Sequence, residues 1–134
     1  MKKTIYLLIP TLLLLFTACL DNGGSEGAQD AVAEIDVTLY DEATGSPLSN
    51  FEVLLLFEVQ GVAQPVTFQE FETDAAGFFS SEIFSLTQDR ITKAIIEYEV
   101  GTEVRSAEKE IDLQLRFEQP YNSASIEMQL DVSE

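Results

Sequence analysis

Apolar residues recur at every second position in successive runs between Ile35 and Val132, and that period constrains the fold more than any other feature. Ile35, Val37 and Leu39 alternate with Glu34, Asp36, Thr38 and Tyr40, as in a half-buried strand. Phe51, Val53, Leu55 and Phe57 follow the same rule, but Leu54 and Leu56 make the opposite face apolar too. That strand is therefore covered on both sides or lies mid-sheet. Residues 66–73 and 78–83 flank Asp74-Ala75-Ala76-Gly77, where an acid that can cap a turn precedes a glycine free to take positive φ. Ala94, Ile96, Tyr98 and Val100 lead into Gly101-Thr102, a two-residue hairpin signal. Ile111 to Phe117 and Ile126 to Val132 supply the last two runs, separated by a turn at Gln119-Pro120-Tyr121-Asn122.

Val104 sits on an even number, whereas Ile111, Leu113, Leu115 and Phe117 sit on odd ones. Alternation changes sides only by inserting a residue, so a β-bulge or break is expected between Arg105 and Glu110. No window of helical length shows apolar residues at three-and-four spacing. The fold class is all-β, an antiparallel β-sandwich of about seven or eight strands; a small barrel is the rival arrangement. From Ala33 to the end about 100 residues remain, enough for one domain and too few for two.

The segment before the domain reads differently. Lys2 and Lys3 precede an apolar run from Ile5 to Ala18, broken only by Pro10, Thr11 and Thr17. Its length falls short of the ~20 residues an α-helix needs to cross a bilayer, so it reads as a signal peptide over residues 1–18. Phe16-Thr17-Ala18-Cys19 resembles the bacterial lipobox, in which cleavage before a cysteine accompanies its acylation with diacylglycerol. Thr17 and Ala18 fit that pattern, while Phe16 stands where Leu, Val or Ile is usual. The resemblance implies Cys19 as the lipidation site and a membrane partner reached through its lipid. Asp21 stands one place beyond the acid associated with inner-membrane retention, which favours the outer membrane. Residues 19–32 then form the lipidated cysteine and a flexible acidic linker; the 13 residues 20–32, with three Gly and three acids, reach roughly 20 Å as a coil.

Composition removes several function classes. The chain holds 7 Lys+Arg against 24 Asp+Glu, no His and one Cys. Lys2 and Lys3 belong to the signal segment, which leaves five bases against all 24 acids in the mature chain. Such a charge opposes nucleic-acid binding through a basic patch. Without imidazole there is no Ser-His or Cys-His nucleophile and no His-ligated zinc. From Leu20 to Asp89 there are fourteen acids and no base, whereas all five bases follow from Arg90 onward. A soluble, self-repelling surface accounts for this better than a docking face for a basic partner.

Two further segments resemble a known family. Asp41-Glu42-Ala43-Thr44-Gly45-Ser46-Pro47-Leu48-Ser49-Asn50-Phe51-Glu52-Val53-Leu54-Leu55 resembles the strand–turn–strand of carboxypeptidase regulatory-like domains, which share a transthyretin-like (prealbumin-like) fold. Thr73-Asp74-Ala75-Ala76-Gly77-Phe78-Phe79 resembles the family's Thr-Asp-x-x-Gly-x-Phe signature. Asn50 replaces a usual glycine, and residues 59–71 exceed the family's spacing. The resemblance implies an immunoglobulin-like or transthyretin-like sandwich used as a spacer, accessory or presented module, and neither motif is catalytic in that family.

Asp41 and Asp74 are the candidate metal ligands, through Ca²⁺ and carboxylate oxygens, although their spacing matches no Asp-x-Asp-x-Asp-Gly loop. Turn capping is the plainer role for both. The phenylalanines at strand spacing read as core; Phe78 is the exception, because an inward Phe79 turns it outward. The expected function is a lipid-anchored, non-catalytic module of the bacterial envelope, without cofactor, serving protein contact or structural presentation. A ligand- or Ca²⁺-binding accessory lipoprotein is the alternative, its small-molecule ligand left open.

Overall fold

In the computed structural model, which describes residues 30–117 and 122–134, the alternating runs form seven strands. They are β1 (Ala31–Asp41), β2 (Glu52–Val59), β3 (Val66–Glu72), β4 (Phe78–Ser85), β5 (Arg90–Val100), β6 (Glu103–Gln114) and β7 (Asn122–Leu130). The signal segment, Cys19, most of the linker and residues 118–121 of the last turn lie outside the described residues. Two sheets result, one in the order β4-β1-β7 and the other β3-β2-β5-β6. This is the expected β-sandwich and not a barrel. The strands divide otherwise than in an immunoglobulin constant domain, where the first strand shares its sheet with the second, fourth and fifth.

The core lies where the inward faces meet. Ile35, Val37 and Leu39 of β1 and Ile126, Met128 and Leu130 of β7 oppose Val53, Leu55, Ala94, Ile96 and Leu113, all buried. Burying a side chain of this size contributes about 1.5–3 kcal/mol, so the alternation itself selects the sandwich. A row of rings closes the side between β3 and β4: Phe57, Phe68, Phe71 and Phe79 follow one another, and the Phe71 and Phe79 centroids lie 4.5 Å apart. The two-faced β2 lies mid-sheet between β3 and β5, where Leu56 pairs with Ile95 and both are nearly buried on the outer face.

Four details depart from expectation. β1 starts at Ala31, two residues inside the segment assigned to the linker, because Ala31 and Val32 are already buried. One pairing is parallel: residues 115 and 116 carry the chain from β6 past the start of β1, where Val32 bridges Arg116, so β7 sets out alongside β1. The expected break between Arg105 and Glu110 is absent, since β6 pairs continuously with β5 there. Val104 faces solvent at 64% exposure and so needs no change of side. The register shifts instead between Ile91 and Lys93, opposite Glu110 and Leu113, and β5 changes its buried parity from Ile91 to Ala94. Finally, Phe84 is 56% exposed and Phe117 36%, so not every phenylalanine at strand spacing is core.

Candidate functional site

The two family-like segments meet at one end of the sandwich. The β1–β2 connection folds over the β3–β4 turn: the Leu39 N–H donates to the Gly77 carbonyl at 2.8 Å, and the Leu48 N–H donates to the Leu39 carbonyl at 2.9 Å. Asn50, at φ 51, takes the left-handed conformation that glycine more often supplies.

Thr73 ties the two together. Its hydroxyl accepts the Phe51 N–H at 2.9 Å and donates to the Leu48 carbonyl. Its own N–H donates to the Phe51 carbonyl at 3.0 Å. Thr73 is buried at 2% exposure; among the described residues the other buried side chain with a hydroxyl is Tyr98. The sequence places Thr73 in the family-like signature, but its clamp across the two segments shows only in the fold. A threonine just before a turn-capping aspartate was the available signal.

Asp41 and Asp74 each close their own turn. Asp41 accepts the Ala43 N–H at 2.9 Å on one oxygen and the Thr44 hydroxyl at 2.8 Å on the other. One oxygen of Asp74 accepts the N–H groups of Ala76 at 2.8 Å and Phe78 at 3.0 Å. Ca²⁺ takes six to eight oxygens. Among the described residues no three metal-competent side chains gather at one point.

Three of the bases, Arg90, Lys93 and Arg105, serve surface pairs. Arg90 grips Asp112 with two hydrogen bonds of 2.7 and 2.6 Å, which holds that carboxyl below its usual range. Lys93 reaches Glu108 and Glu58, and Arg105 reaches Glu103 and Asp131. Exposed pairs of this kind contribute little to stability, because water and salt screen them. An open cleft of about 380 Å³ between β6 and β7 is lined by Tyr40, Ala107, Lys109 and Met128 among others. Phe78, at 37% exposure, does face outward beside the capped turn.

The fold and these groups define a seven-stranded β-sandwich in which Asp41 and Asp74 close turns and Asp112, Glu58, Glu103, Glu108 and Asp131 pair with surface bases. No protein-family model matches the chain, and no curated protein matches it. Among solved structures it is similar to (S)-allantoin synthase, at 11% identity and a TM-score of 0.47, over 80% of this chain and 43% of that one. It is also similar to a 9R-lipoxygenase from Cyanothece PCC8801, at 14% identity and a TM-score of 0.37, over 90% of this chain and 20% of that one. The chain thus spans less than half the length of either.

Salt separates capping from metal binding. Like charges crowd on folding, and raising salt from 0.01 to 0.15 M shortens the screening length from ~30 to ~8 Å. Melting the purified protein in NaCl and in CaCl₂ of equal ionic strength should therefore raise Tm equally. A saturable extra rise in CaCl₂, lost in Asp41→Asn or Asp74→Asn, would make these turns a metal site.

Proposed function

We propose that this chain is a lipoprotein of the bacterial cell envelope, held in the outer membrane by acylated Cys19. Its transthyretin-like sandwich serves protein contact or structural presentation and performs no catalysis. The observation that carries the reading is the placement of the chain's single cysteine directly after Phe16-Thr17-Ala18, at the end of a short apolar run. Two acyl chains, at about 0.8 kcal/mol per buried methylene, suffice for stable anchoring.

The described acids support a non-catalytic module. General acid–base work at neutral pH draws on groups tuned by burial or by close partners. Here the carboxylates of Asp41 and Asp74 are engaged by turn N–H groups and a hydroxyl, and among the described residues the buried polar side-chain groups are the Thr73 hydroxyl and the Tyr98 phenol, which donates to the Asp131 carbonyl.

Replacing the acceptor thiol tests the reading. In a bacterial host the parent should partition into detergent and sediment with membranes, whereas Cys19→Ser should lose both properties. A Cys19→Ser protein that partitions like its parent overturns the proposal.

A further inference from the structure

The exposed apolar side chains are not scattered evenly. β1 begins at Ala31 beside Ser85 at the end of β4, and Val32 bridges Arg116. The Leu115 N–H donates to the Asp89 carbonyl, and the Gln60 N–H donates to the Arg90 carbonyl. These bonds bring the β4–β5 turn, the β2–β3 loop and the β6–β7 crossover to the end of the sandwich where the linker arrives. Val62, Val66, Phe84, Leu86 and Phe117 all belong to this end, with exposures from 36 to 62%.

Leu86 is held out rather than frayed. The hydroxyls of Ser85 and Thr87 donate to one Asp89 oxygen at 2.6 and 2.8 Å, fixing the turn on which it stands. The Gln114 amide donates to the Gln88 carbonyl at 2.6 Å and braces the same turn. A rigid turn that shows a leucine to water marks a contact surface.

Of the exposed large hydrophobics among the described residues, only Phe78 and Val104 lie at the opposite end, which is the more acidic one. Glu42, Glu72, Asp74, Glu103 and Glu134 are exposed there, around the two family-like turns and the Gly101 hairpin. Arg90 and Arg116 belong to the linker end, where Arg90 is paired with Asp112 and Asp30 and Asp89 also stand, so that end carries a more balanced charge.

We propose that the linker end of the sandwich docks on the lipid surface that holds Cys19, with Phe84 and Leu86 in the boundary between headgroups and acyl chains. This rests on the lipoprotein reading above. Only the eleven residues Leu20 to Asp30 separate Cys19 from the start of β1; even fully extended they span at most about 40 Å, which keeps this end of the sandwich near the anchor. Tethering makes docking intramolecular, at an effective concentration of order millimolar, so a weak patch is enough. Docking this way also turns the acidic end away from anionic headgroups, whose repulsion decays within a Debye length. With strands rising about 3.3 Å per residue, the eleven-residue β1 then carries the family-like turns roughly 35 Å outward.

The chain contains no tryptophan, so a single introduced one reports alone. Phe84→Trp, Leu86→Trp and, at the far end, Val104→Trp are prepared as full-length lipoprotein in phosphatidylcholine vesicles with brominated acyl chains. Trp emission from positions 84 and 86 should be blue-shifted and quenched several-fold more strongly than from 104. Equal, weak quenching at all three, with Cys19 acylated and the protein on the vesicles, overturns docking and leaves the anchor intact. A blue shift at 84 and 86 without quenching overturns it in favour of a second copy of this chain on the patch. Loss of vesicle association with an unmodified Cys19 overturns the anchor, and docking with it.

Discussion

Gly77→Val should destabilise the protein by about 3 kcal/mol or more, a large part of the roughly 5–15 kcal/mol that holds a domain folded. Gly77 sits at φ +75, where a side chain costs about 1–2 kcal/mol before any contact is counted. A Cβ there would collide with the Leu39 carbonyl oxygen and approach the Leu48 nitrogen to 3.1 Å and the Pro47 Cβ to 3.3 Å. The oxygen it strikes is the one that accepts the Leu48 N–H, and the Gly77 carbonyl accepts the Leu39 N–H. Each bond broken there adds about 0.5–1.5 kcal/mol. Ala76→Val, one residue earlier and exposed, should stay within about 1 kcal/mol. Urea unfolding of both variants decides the matter, and equal midpoints would show that the two turns do not press on each other through Gly77.

Phe79→Ala comes next, with an expected loss of about 3–5 kcal/mol. The ring is 6% exposed and stacks on Phe71 at 4.5 Å, so its removal opens a cavity in the aromatic row that closes one side of the sandwich. Phe78→Ala should lie within about 0.5–1 kcal/mol, because that ring already meets water. Adjacent residues of one type thus differ several-fold in cost through parity alone. Comparable losses at both positions would mean that β4 presents the wrong face to the core.

Parity was legible in the sequence, and so was most of what it controls. The alternation in β1 and β7 needed no further information, because one face of each strand is apolar and a slip by one residue would expose it, and the second apolar face of β2 read as a mid-sheet strand. The Asp74–Gly77 turn was equally readable from a capping acid and a glycine. Phe84 was readable in principle: it shares the even numbering of Phe78, and Phe79 and Ile83 take the inward odd positions. Its apolar character masked that parity.

Other features were not local properties. Val104 follows a two-residue hairpin, and only its pairing with Glu99 shows that it faces solvent. The register shift near Thr92 arises from fitting β5 against β2 and β6 together, which no single run encodes. The parallel β1–β7 pairing depends on which end of the sandwich the chain crosses. The clamp at Thr73 joins residues more than twenty positions apart, so its partners emerge only once both turns are folded.

The intact mass and N-terminal residue of the protein extracted from bacterial membranes test the central claim most directly. The lipoprotein reading predicts a chain that begins at Cys19 and carries the added mass of a diacylglycerol on its sulfur, with that mass lost in Cys19→Ser. A membrane-extracted chain that begins elsewhere, or that carries Cys19 as a free thiol, would contradict it.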